Sequence, residues 1–240
     1  MSSLLSTEGA KMNSHYTYLL INFLTVFFPV VLSFDKRVQF YKSWKYIFPG
    51  LLLTGASFLV WDYLFTIYDV WSFNPDYVIG VYFLNLPLEE ILFFITVPFA
   101  CIFIYACLNY YVKRDLLKNV STPIVAMLAL LSLGLLAAYY DRVYTLITFS
   151  LLLVTSIYMG WKRPAYIGRF LLAYIVSLLP FYIVNGVLTA LPVVIYNDAQ
   201  NVGLRAGTVP FEDHFYSFVM LYFNIAFFEY FRQKKGAVRA

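Results

Sequence analysis

Seven stretches of the chain are long and apolar enough to cross a lipid bilayer, at roughly residues 16–34, 47–67, 87–110, 122–140, 143–160, 168–191 and 210–231. A hydrocarbon core takes about 20 apolar residues of helix, and within it every backbone polar group must find its partner inside the protein. A bundle of helices meets both demands. The composition agrees, because 62% of the residues are hydrophobic and only 12% are charged, where soluble domains carry about a quarter. The expected fold class is an all-α integral membrane protein of seven transmembrane helices. Only Tyr140, Asp141 and Arg142 separate the fourth and fifth spans, which predicts a tight hairpin there.

The basic residues test the count. With seven spans, one side of the membrane receives the first, third and fifth loops and the C-terminus. Those segments carry Lys36, Arg37, Lys42 and Lys45; Lys113, Arg114 and Lys118; Lys162, Arg163 and Arg169; and Arg232, Lys234, Lys235 and Arg239. That is fourteen of the 17 Lys and Arg, leaving Lys11, Arg142 and Arg205 for the other side. By the positive-inside rule the C-terminus is expected in the cytoplasm and the N-terminus outside, in a multi-pass protein of the cell membrane. The net charge of +4 then marks topology, and no nucleic-acid partner is expected. The N-terminal residues lack the basic-then-apolar layout of a cleaved signal peptide, so the first span is expected to stay as a helix. Cys101 and Cys107 share one apolar stretch at a spacing that suits neither a disulfide framework nor a metal site, and read as packing residues.

The chain also repeats itself. PLEEILFFI at 87–95 is echoed by PFEDHFYSF at 210–218, an offset of 123. The same register places Asn74 on Asn197, Gly80 on Gly203, Pro87 on Pro210 and Glu89 on Glu212, with Glu90 on Asp213 and Asp62 on Asn185. Spans one to three therefore correspond to spans five to seven. The expected organisation is a first three-helix repeat at 1–118, a linker helix within 119–141 and a second three-helix repeat at 142–240. Three plus one plus three puts both repeats in the same orientation, and parallel repeats of this kind place a functional site at their interface.

The polar residues at that interface carry the chemistry. Glu89 and Glu90 follow a proline that starts a helix, and there the helix dipole favours negative charge. They are either N-terminal caps or, with Glu212 and Asp213, two acidic pairs facing a common interior. Two carboxyl groups in one dry site cannot easily both ionise, so one keeps its proton as an acid while its partner serves as base. Asp62 lies inside a span, which makes it a functional-site candidate. Asn74, Asn197 and Asn185 either position a carboxyl group or cap helices, and His214 is placed to share a proton with Asp213 or to stand aside. Aromatic residues make up 21% of the chain. Phe93, Phe94, Phe99, Phe211, Phe215, Tyr216 and Phe218 gather around the acidic pairs, either as packing or as walls for an apolar polyene and a passing cation.

Several chemistries are excluded. No Gly-x-Gly occurs, so no dinucleotide fingerprint is present. His15 and His214 are too few for a histidine-rich di-iron site. No span has a central lysine to hold retinal, and no Asp-rich diphosphate-binding motif appears. No metal or other cofactor is expected.

WDYLFTIYDVWSFNPDYVIGVYFLNLPLEEILFFITVPFACIFIYACL, with the echo VPFEDHFYSFVMLYFNIAFFEYFR, resembles the membrane-integral lycopene cyclase family of bacteria, archaea and fungi. The resemblance covers essentially the whole chain, as both cyclase repeats in one polypeptide. His214 and Tyr216 make the second motif less typical of the family. It implies a lycopene β-cyclase of carotenoid biosynthesis, closing the acyclic ends of lycopene to β-ionone rings by acid/base chemistry without net redox change. Its partners would be the lipid bilayer, lycopene or a related acyclic carotenoid, and other enzymes of that pathway. Carried onto this chain, the catalytic residues are Glu89, Glu90, Glu212 and Asp213. Glu90 or Glu89 is expected as the acid and Glu212–Asp213 as the base or its partner. Asp62, Asn74, Asn197, Phe93, Phe94 and Tyr216 are expected to bind or position the substrate. The rival readings are a proton-coupled transporter of the same topology and a carotenoid-binding protein without catalysis.

Overall fold

The structure, a computed structural model, describes residues 14–237, with side chains as far as Lys234. Lys11 and Arg239, counted above, lie outside the described residues, as does the side chain of Lys235. Seven long helices follow the apolar stretches closely. They are α1 (Thr17–Leu32), α2 (Trp44–Ile67), α3 (Leu88–Tyr111), α4 (Ser121–Ala138), α5 (Val143–Lys162), α6 (Ile167–Ala190) and α7 (Phe211–Ala237). Five apolar helical segments, Phe40–Ile67 (which includes α2), α3, α4, α5 and α6, are long and apolar enough to cross a membrane. The other two differ for visible reasons. α1 has 16 residues, and α7 interrupts its apolar run with Glu212, Asp213, His214, Asn224 and Glu229.

The helices carrying the acidic pairs lie at the centre. α3 packs against α1, α2, α6 and α7, while α7 packs against α2, α3, α5 and α6. α4 lies outside, against α5, with which it forms the hairpin expected from the short 139–142 connection. Between α2 and α7 the backbones come close at Gly50, where a Cβ would stand 2.9 Å from the Phe227 Cβ. The outward faces are apolar: Leu52, Leu130, Leu179 and Ile183 are each more than 60% exposed. Contiguous apolar surface on this scale suits lipid, not water. At the ends of α3 and α5, Lys113 lies over Tyr110 and Lys162 over Trp161, the amphipathic pairing found at membrane interfaces.

Short strands cap one end of the bundle. β1 (Trp71–Phe73), β2 (Tyr82–Phe83) and β3 (Leu86–Pro87) precede α3; β4 (Val194–Tyr196), β5 (Arg205–Ala206) and β6 (Val209–Pro210) precede α7. Their hydrogen bonds recur at the offset of 123. Leu88 N–H donates to Val81 C=O at 2.8 Å, as Phe211 N–H does to Leu204 C=O at 2.9 Å. Gly80 and Gly203 have φ of +82° and +80°, a conformation that glycine adopts without a Cβ clash.

β1 and β4 join the two halves. They pair antiparallel as Trp71–Tyr196, Ser72–Ile195 and Phe73–Val194. Since 71 corresponds to 194 and 73 to 196, the ladder is self-complementary, as two copies related by a two-fold axis would make it. Outside the ladder, Asn74 N–H donates to Val193 C=O at 3.0 Å and Asn197 N–H to Val70 C=O at 2.9 Å. Those bonds are the same contact made twice.

Candidate active site

The carboxylate pairs divide into an inner and an outer member. Glu89 and Glu212 are fully buried, and each turns back onto the loop before its helix. Glu89 Oε1 accepts the Ile79 N–H at 2.7 Å, and Glu212 Oε1 accepts the Val202 N–H at 2.7 Å. These two donors are again 123 apart. Thr145 adds a hydroxyl to Glu212 Oε1 at 2.6 Å, while Asn22, its counterpart, donates to the Glu89 backbone carbonyl at 2.9 Å. Both outer carboxylates therefore tie the hairpin to the first turn of its helix. We expect Glu212→Ala to orphan the Val202 N–H and the Thr145 hydroxyl at about 1–3 kcal/mol for each buried group. Its thermal midpoint in detergent should fall, and Glu89→Ala should behave alike; an unchanged midpoint in both would exclude this anchoring role.

Glu90 and Asp213 face the other way. They line one cavity of about 60 Å³ between the two repeats, together with Tyr18, Trp71, Phe93, Phe94, Tyr144, Tyr196 and Tyr216. Sequence reasoning missed four of these residues. Tyr18 on α1 donates its hydroxyl to Glu90 Oε2. Tyr144 on α5 donates to Asp213 Oδ1 at 2.5 Å, and Tyr196 on β4 donates to Asp213 Oδ2 at 2.9 Å. Burial and then the Asp213 charge hold the Tyr196 hydroxyl well above the ordinary tyrosine range, so it stays protonated and continues to donate. One carboxyl group has one tyrosine, the other has two. Asp213 is thus the better solvated as an anion, since each hydrogen bond to the charged form favours it.

The walls are aromatic. Trp71 packs edge-on to Tyr144 at 5.2 Å and lies 5.7 Å from Tyr196, and Tyr216 is 5.2 Å from Phe58. Such rings stabilise a nearby cation by about 0.5–2 kcal/mol each. The Tyr216 hydroxyl is buried without a partner among the described residues.

Of the remaining polar candidates only Asn185 lines the cavity. Asp62 is fully buried behind Trp71, whose indole N–H donates to Asp62 Oδ1 at 2.7 Å. It touches the site through that tryptophan. Asn74 and Asn197 cap turns: Asn74 Oδ1 accepts from Asp76 N–H at 3.0 Å, and Asn197 Oδ1 accepts from Ala199 N–H at 3.0 Å. His214 pairs through Nε2 with the Tyr182 hydroxyl at 2.7 Å, so its proton-sharing partner is that tyrosine and not Asp213.

The family model described as lycopene cyclase matches residues 15–108 and 141–231, two segments separated by the stretch that contains α4. No curated protein and no solved structure matches the chain.

Proposed function

The chain belongs to the lycopene cyclase family, and on that premise we propose that it converts the acyclic ends of lycopene to β-ionone rings by proton transfer alone. The observation that carries the reading is the pairing of Glu90 and Asp213, from equivalent positions in two repeats, in one aromatic-walled cavity. Glu90, with a single tyrosine donor, is the acid. Its proton goes to the terminal double bond of the polyene and leaves a tertiary cation beside the ring faces of Trp71 and Tyr216. The neighbouring double bond attacks that cation and closes a six-membered ring, which moves the positive charge onto a ring carbon. Asp213, held as an anion by Tyr144 and Tyr196, takes the adjacent proton and leaves the ring double bond. One proton enters and one leaves, so no electron carrier is needed and the site resets when the proton returns to Glu90.

The family premise also supports the membrane arrangement. All seven helices cross the bilayer as two parallel repeats, 1–118 and 142–240, joined by a linker helix in 119–141. The basic loops and the C-terminus lie in the cytoplasm, and the acidic cavity and the N-terminus lie toward the outer side. Other enzymes of carotenoid synthesis are natural neighbours there, since substrate and product both stay in lipid.

The deciding experiment is expression in cells that accumulate lycopene. We expect chromatography to show monocyclic or bicyclic β-ring carotenoid at the expense of lycopene. Unchanged lycopene with the protein in the membrane would reject the cyclase and leave the transporter or the non-catalytic binder.

A further inference from the structure

A larger apolar groove of about 780 Å³ opens beside the acidic cavity. It runs between α1, α3, α6 and α7, from Thr17 to Pro29 along α1, which is about 18 Å of helix at 1.5 Å per residue. Its rim residues Leu20, Leu24, Phe28 and Ile183 are all more than half exposed on the lipid-facing surface. The described lining contains no charged side chain. Val97, Phe181, Asn185, Ser217 and Met220 border both spaces, so groove and cavity adjoin across a single layer of side chains.

The two repeats differ in bulk around these spaces. Phe65, Trp71 and Phe94 fill the first repeat's side and are buried. At the offset of 123 their counterparts are Leu188, Val194 and Ser217. Each exchange replaces a large ring with a smaller group: Leu188 and Val194 line the acidic cavity, and Ser217 thins the wall that cavity and groove share.

We propose that this groove holds the hydrocarbon chain of the substrate, a neutral linear polyene that slides in sideways from the bilayer with its terminus reaching Glu90 and Asp213. The inference deepens the cyclase reading and rests on it for the identity of the chain. Its chemistry excludes a charged headgroup. An acyl tail of a membrane lipid could fill the rim, but the wall shared with the acidic cavity assigns the groove to a chain whose end reacts. One mouth admits one terminus, so two-ended cyclisation requires release of the chain and its return from the other end.

Two measurements test the groove. In a variant with both cysteines replaced by alanine, a fluorescent label on Leu24→Cys at the rim is compared with one on Leu130→Cys, which lies on the outward face of α4. Lycopene in vesicles should quench the rim label saturably and at least several-fold more. Equal quenching at both positions, or quenching at the rim by a bromine-labelled acyl lipid that lycopene fails to relieve, would overturn the assignment. This assay needs no turnover, so it gives its answer even where the wild-type protein leaves lycopene unchanged.

The second measurement uses Ala100→Trp. Ala100 lines the groove ten residues beyond Glu90, about 15 Å along α3. Filling the groove there should reduce kcat/KM for lycopene about tenfold or more. A shortened acyclic polyene with the same terminal unit should lose less than about twofold, because it does not reach that depth. Equal losses for both substrates would overturn the proposal. In a time course with the unaltered protein, free monocyclic product should appear before any bicyclic product; bicyclic product formed without it would overturn the single mouth.

Discussion

Glu90→Gln is expected to lower cyclisation by about 10²–10⁴-fold, the range that a positioned proton donor contributes, while the protein still inserts and binds its substrate. The amide has the shape of the carboxyl group and keeps an oxygen for the Tyr18 hydroxyl, so the α1–α3 contact survives. What it lacks is a proton acidic enough for a carbon–carbon double bond. The control is the neighbouring glutamate. Glu89 binds the Ile79 N–H at 2.7 Å and does not border the cavity, so its loss should act through stability. Product yield per folded molecule separates the two. Activity of Glu90→Gln within a factor of about three of wild type would remove Glu90 from the acid role and with it the proposed mechanism.

The sequence disclosed the helices because lipid demands them: apolar runs of about 20 residues leave little choice of secondary structure, and the observed helix ends lie close to the expected ones, except that the last helix runs to Ala237, past the expected end at 231. The repeat was legible for a different reason. Proline, glycine, asparagine and glutamate in one register are improbable in an apolar chain, and the turn glycines and the paired hydrogen bonds from Ile79 and Val202 recur at that offset. The tyrosines were not legible. Tyr18 corresponds to Asp141 and Tyr144 to Ile21, so the two halves hold their inner carboxyl groups with side chains from unrelated positions. Among 22 tyrosines no local signal marks these. The β1–β4 ladder, which brings Trp71 and Tyr196 to the cavity, joins residues 125 apart that pattern reading places in separate loops. Which carboxylate of each pair turns inward is likewise a matter of helix phase in the first turn. Residues 89 and 90 are a hundred degrees apart on the helix, so one can border the cavity while the other binds the loop behind it.

Asp213→Asn should cost as much as Glu90→Gln, about 10²–10⁴-fold in the normal product, but for a different reason and with a different residue of chemistry. Tyr144 and Tyr196 each place a hydroxyl on one oxygen of Asp213. An amide offers one oxygen, so the other tyrosine must turn its hydroxyl to accept from the NH₂ group and no longer donates. The cavity loses its anion and its base together, while the Glu90 proton source is untouched. Protonation and ring closure can then proceed to a cation that has lost its assigned base, so the spent Glu90 carboxylate and water compete for it. Capture by water gives a small yield of ring alcohol beside a residue of β-ring alkene. The same substitution therefore orders the two carboxyl groups in time. Ring alcohol from Asp213→Asn, with no cyclic product from Glu90→Gln, puts Glu90 before the cation and Asp213 after it. Restored β-ring product in Tyr144→Phe and Tyr196→Phe, each of which leaves Asp213 one tyrosine, would show that one hydrogen bond suffices to hold the base. An alcohol from Glu90→Gln and none from Asp213→Asn would reverse the roles, because the group that is missing before protonation leaves no cation to trap.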